Sequence, residues 1–208
     1  TALVKRVWPT MLNVNLPVPM QGLVGFVQDI GSGKFYAAFH VRGAYHTILI
    51  ESSQMTDRIR RYALQKDMIL KPREIQEVKE TLLALASVHA VHDHVLPRVA
   101  PVQGGIEIDL MDERFQTVQI TASATLVRNT ATSFFARPTE ARALPVPVLD
   151  NTADIGLLRS YINVKGVSFH LLVAYITFTI ASPKIDRSKY VFLVLRGAQG
   201  TGKTFASK

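Results

Sequence analysis

The 208-residue chain contains no cysteine. That excludes a disulfide framework and any thiolate metal site. It also lacks an apolar run long enough to cross a bilayer. The longest, residues 169–181, holds His170 and two threonines and falls short of a span. No signal peptide is visible, so with the missing cysteines the reading is a cytoplasmic protein without a membrane partner. No repeat or low-complexity tract is present, which excludes a solenoid or a compositional tail. Acid is scarce as well. Sixteen Asp and Glu face 24 Lys and Arg, for a net charge of +8 and a pI near 9.9. A nucleic-acid partner, DNA or RNA, explains that excess. So does an ordinary basic surface, and charge alone does not separate the two.

What is present reads first as strands. Residues 1–21 hold Pro9, Pro17 and Pro19 and predict an irregular lead-in. Residues 23–29 are apolar and strand-like. Gly31-Ser32-Gly33 is a turn, and residues 35–41 alternate at strand period. After Arg42-Gly43 a third strand covers 45–50, which predicts an antiparallel meander. A helix follows over 53–65, with Met55, Ile59 and Tyr62 on its core face and Ser52 or Ser53 as cap. Arg58, Arg60 and Arg61 fall on its other face, either as a solvated surface or as a phosphate contact. A second helix starts at Pro72, with Glu74 and Glu77 in its early turns and a stripe of Ile75, Val78, Leu82, Leu85 and Ala86.

His89, His92 and His94 raise a metal site, but the spacing fits no strong ligand pattern and a surface loop is the default. Four more strands are expected between residues 97 and 135, with Gln103-Gly104-Gly105 as a hairpin turn and Asp112-Glu113-Arg114 as another. Prolines at 145 and 147 make residues 143–148 a linker, with a domain boundary near 150. Beyond it come a short helix over 153–161 and a longer one over 167–181, apolar nearly all round and therefore expected to be buried.

The chain then reaches Val191-Phe192-Leu193-Val194-Leu195-Arg196-Gly197-Ala198-Gln199-Gly200-Thr201-Gly202-Lys203-Thr204. This fits G-x-x-x-x-G-K-[ST], the P-loop. The pattern alone turns up by chance in on the order of one per cent of chains this long. The apolar run 191–195 predicts a buried strand of a parallel sheet. The glycines let the backbone approach phosphates and turn its N–H groups inward. Gly197, Gln199, Gly200, Thr201 and Gly202 would wrap ATP at the start of a helix. Lys203 would reach the β- and γ-phosphates and act in catalysis, and the Thr204 hydroxyl would ligate Mg²⁺. No Walker B acid follows Lys208, and Thr1 is not a natural start. The expectation is the front part of a longer protein, with no ATPase activity in residues 1–208 themselves.

The order of parts from about residue 95 onward resembles the P-loop ATPases of phages and integrative elements related to primase–helicase proteins. Its elements here are Gly105-Ile106-Glu107-Ile108-Asp109-Leu110, Phe135-Ala136-Arg137, Leu144-Pro145-Val146-Pro147, Tyr161-Ile162-Asn163 and the P-loop. Ala198 stands where that family often has Glu. The resemblance implies an ATP- and Mg²⁺-dependent, helicase-like ATPase of DNA replication in a mobile element or phage. It leaves open a homo-oligomer of the whole ATPase. The fold expected is an α+β region over 1–150, antiparallel, β-rich and with two helices, then the start of an α/β P-loop NTPase core over 151–208. Two other readings stay open. One is a nucleic-acid-binding or priming module, supported by the acidic pair Glu107 and Asp109 and by Ser168-Phe169-His170, since archaeal-type primases use an acidic pair and an S-x-H element. Here the S-x-H opens an apolar helix, the wrong place for that role. The other is an inert ATPase fragment.

Overall fold

Apolar residues at strand spacing place β1 at Leu23–Asp29, β2 at Phe35–Val41 and β3 at Ala44–Leu49. The computed structural model describes residues 20, 22–41, 44–149, 154–182 and 191–196, which form two compact units dividing between Pro147 and Val148. In the first unit β1, β2 and β3 pair antiparallel. Two helices follow, α1 at Ser53–Leu64 and α2 at Pro72–His89. Ser52 Oγ accepts from Met55 N at 3.2 Å, and the Glu74 carboxylate accepts from Lys71 N at 2.6 Å, so both helices open on satisfied amides. One face of each helix meets the sheet in a core of Phe26, Phe39, Ile48, Ile50, Met55, Ile59, Val78 and Leu82.

Strands β1, β2 and β3 form an antiparallel meander, and a fourth strand makes the sheet mixed. The chain leaves α2 into β4, Val91–Asp93, which runs parallel to β1 and completes the order β3-β2-β1-β4. His92 therefore stands on a strand and not in a surface loop. β1 is buried on both sides. Phe26 packs under the helices, while Val27 packs against Val95 and Phe134 on the opposite face. That second cover comes from β5, Val95–Leu96, paired parallel with β10, Phe134–Phe135. Between them lies a four-stranded antiparallel sheet of β6, Val99–Val102, β7, Gly105–Asp109, β8, Thr117–Thr121, and β9, Thr125–Arg128.

The second unit contains a 3₁₀ turn at Ile155–Leu157, α3 at Leu158–Tyr161 and α4 at Val167–Ala181. Two expectations fail here. α4 is not buried, because only Phe169 and Leu172 of its fifteen residues are. A helix apolar on every side needs cover on every side, and the described residues of this unit cover one strip. Residues 191–196 form no strand, and Phe192 is 87% exposed. A parallel strand takes its hydrogen bonds from neighbours, and among the described residues of this unit there is no strand to supply them. No described helix is long and apolar enough to cross a membrane.

Gly105 is required by close approach. A Cβ there would stand 1.8 Å from the Ile120 carbonyl oxygen on β8. Gly104 has open space around it and a φ of +77°. Gly105→Ala is therefore expected to destabilise the first unit by about 1–3 kcal/mol through forced backbone separation. Gly104→Ala is expected to cost only ~1 kcal/mol of left-handed backbone strain. Urea midpoints of the two variants check this, and the reverse order would show that strain in the turn outweighs the strand contact.

Candidate functional site

Strand β7 presents its acids on one face. Cross-strand register puts Ala100, Glu107, Gln119 and Leu126 in one row, and Asp109 with Thr117 in the next. Both acids are buried, at 0% and 1% exposure. Buried carboxylates need donors, and both find most of theirs on residues 132–137, before and just after β10. Glu107 accepts from Thr132 N at 3.0 Å, Thr132 Oγ1 at 2.8 Å, Ser133 N at 3.0 Å and Thr117 Oγ1 at 3.0 Å. Asp109 takes Arg137 in a two-pronged grip, with Nε on Oδ2 at 2.8 Å and Nη2 on Oδ1, and also accepts from Met111 N at 2.9 Å. Arg137 Nη1 donates to the Asp112 carbonyl at 2.6 Å, and its guanidinium lies 4.3 Å from the centre of the Phe115 ring.

This pair is thus occupied. An acidic pair that holds catalytic metal keeps lone pairs open to it, whereas Glu107 and Asp109 are turned to protein donors. Ser168 and His170, the other primase-like element, lie exposed on α4 in the second unit. The three histidines do not assemble. His89 ends α2, His92 is exposed on β4, and His94 has Nδ1 3.9 Å from Asp29 Oδ1. Among the described residues no group of three acids, histidines or cysteines is placed to hold a metal.

The arginines of α1 divide. Arg60 and Arg61 are exposed, and Arg60 lies 3.7 Å from Asp57. Arg58 is not on the solvated face. Its guanidinium stacks 3.8 Å from the centre of the Phe39 ring, Nη2 donates to the Tyr62 hydroxyl at 3.0 Å, and Nε is buried with no hydrogen-bond partner among the described residues. His46, a residue the sequence reading passed over, feels the charges of both Arg58 and Arg137 and packs its ring 5.4 Å from that of Phe115. Burial, then the charges of Arg58 and Arg137, push its pKa down from 6.5 to about 4. Nothing in the spacing of His46 signals this, because both arginines reach it from distant parts of the chain.

The nucleotide-binding candidates Gly197, Gln199, Gly200, Thr201, Gly202, Lys203 and Thr204 lie outside the described residues. Their approach is described: residues 191–196 run beside α4 and share with Lys165, Ser168, Leu172 and Tyr175 a cavity of about 600 Å³. Positive charge is concentrated in this part of the chain. Residues 148–208 carry eight Lys and Arg against three Asp and Glu, so five of the eight net charges fall there. No protein-family model, no curated protein and no solved structure matches the chain.

Two outcomes are expected from the buried groups. Arg137→Leu strands Asp109 without its counter-charge and should cost about 3–5 kcal/mol, while Asp109→Leu/Arg137→Leu should recover most of it. Equal losses in urea denaturation would show that the pair is not the reason. His46 binds its proton more weakly folded than unfolded. Stability should therefore be full above pH 6.5 and fall as pH drops toward about 4. His46→Gln should flatten the denaturation midpoint over that window.

Proposed function

We propose that this protein is the nucleotide-binding part of a helicase-like, DNA-replication ATPase of a phage or mobile element, in which the first unit is an accessory domain. One observation carries the reading: Gly197-Ala198-Gln199-Gly200-Thr201-Gly202-Lys203-Thr204 directly after an apolar run. Backbone N–H groups of the glycine-rich turn cradle the phosphates of ATP. Lys203 neutralises charge on the transferred phosphoryl group, and Thr204 holds Mg²⁺. In such a core, the apolar surfaces of residues 191–195 and α4 are covered by neighbouring strands and helices. DNA or RNA is the partner of the basic second unit, held through phosphates, with an affinity that falls steeply with salt. The occupied state of Glu107 and Asp109 speaks against the priming alternative.

Residues 191–194 are exposed and lie in no strand among the described residues, so ordering this approach when nucleotide arrives carries a cost in affinity. The chain is therefore expected to bind Mg-ATP weakly, with Kd in the range of roughly 0.1–1 mM. Lys203→Ala should remove the binding. Calorimetry with Mg-ATP tests it: binding that survives Lys203→Ala, or none at millimolar nucleotide, would sink the assignment of the P-loop.

A further inference from the structure

The first unit contains a concave site that the P-loop reading does not use. It is a cavity of about 380 Å³ on the face of β6–β7–β8 that carries Glu107. Its floor is Ala100, Val102 and Gln119 of the sheet, with Gln103 from the hairpin turn. One wall is Thr132–Phe134 and the other is Asp93, His94 and Leu96. Both walls are pinned from behind by buried carboxylates. Glu107 holds Thr132 and Ser133 by their amides, and Asp29 accepts from Val95 N at 3.0 Å, directly after His94. Asp29 also takes the Ser32 hydroxyl at 2.6 Å. Burial pushes the pKa of Asp29 up, but the Ser32 hydroxyl and the Val95 and Ser32 amides outweigh it and hold the group below its usual range. The walls are thus fixed in advance, which is the condition for a site that binds without first ordering itself.

Three polar side chains of this lining, the carboxamides of Gln103 and Gln119 and the Ser133 hydroxyl, have no hydrogen-bond partner among the described residues. Leu96 and Pro101 add apolar surface beside them. Among the described residues, no Lys or Arg lines the cavity, and the acid Asp93 does. Phosphate is therefore not what it takes. The occupant is neutral, flat enough to lie on the apolar side, and carries donors and acceptors together on one edge. A carboxamide pairs with a nucleobase edge in that way, donating and accepting at once, and the volume holds a base with its sugar.

We propose that this cavity is a nucleobase site, which takes a single unpaired base with its phosphates left in solvent. The base comes either from a free nucleoside or from a single strand, whose unstacked bases are open to such contacts. The proposal does not rest on the P-loop, and Lys203→Ala leaves it untouched.

The test is an amide NMR titration of the 208-residue chain with adenosine and cytidine, and separately with short single-stranded oligonucleotides. Shifts at Leu96, Gln103, Gln119, Thr132 and Ser133 are expected with at least one of these probes. If nucleosides alone give them, the ligand is a free base; if only oligonucleotides do, the base is one presented by a strand. Gln119→Leu keeps the volume of the floor and should weaken binding about fivefold or more. Gln103→Ala, in an exposed turn that does not hold the fold, should weaken it in the same direction. No shift at the cavity with any probe up to about 10 mM, well past the weakest specific range, would overturn the proposal. So would shifts confined to the second unit, or unchanged affinity in both variants.

Discussion

Two carboxylates on one strand hold the first unit together. Glu107 and Asp109 stand two residues apart on β7, face the same way, and are buried to 0% and 1%. Each is worth several kcal/mol of desolvation unless donors surround it. Most of the donors come from one stretch of chain, residues 132–137, with Thr117 and the Met111 amide supplying the others. That stretch also inserts Phe134 and Phe135 beside β5 and accepts a 2.6 Å hydrogen bond from Thr47 Oγ1 on β3. Gln54 of α1 reaches the Arg137 carbonyl at 2.8 Å. The returning segment therefore ties the antiparallel sheet, the mixed sheet and α1 to one another, and the two acids fix its path.

Acids paired on a strand invite a catalytic reading, and burial with full donor sets removes it. What remains for chemistry in the first unit is the surface that those acids shape, not the acids themselves. The basic second unit carries the glycine-rich motif, and among its described residues α4 and residues 191–194 expose apolar side chains. The division of labour proposed here follows from that contrast: a rigid unit that presents groups, and a charged unit that handles phosphate.

Much of the fold was legible because its signals are local. Apolar runs, alternation and intervening turns gave the strands of residues 23–49, the Gln103-Gly104-Gly105 turn gave the β6–β7 hairpin, and Pro72 with Glu74 gave the start of α2. The failures share a cause. β4 is three residues long and parallel to a strand more than sixty residues earlier, so no local period announces it. The helix wheel puts Arg58 on the outer face, as a solvated group or a phosphate contact, yet its guanidinium stacks on Phe39. α4 reads as buried in sequence because burial was inferred from apolarity alone, while cover depends on neighbours. At the candidate sites, Glu107, Asp109 and Arg137 were visible as residues, but their mutual contacts were not. Donors 25 to 28 residues away have no spacing rule to betray them.

Amide hydrogen exchange at Thr132 and Ser133 tests the central claim most directly. Neither residue belongs to a strand, so without Glu107 their N–H groups would exchange as loop amides do. If the buried carboxylate fixes this segment, both amides are protected to the level of the β7–β8 ladder. In Glu107→Gln, which keeps the shape of the side chain, that protection collapses while the β1–β2 amides stay unchanged. Fast exchange at Thr132 and Ser133 in the unaltered protein would contradict the account.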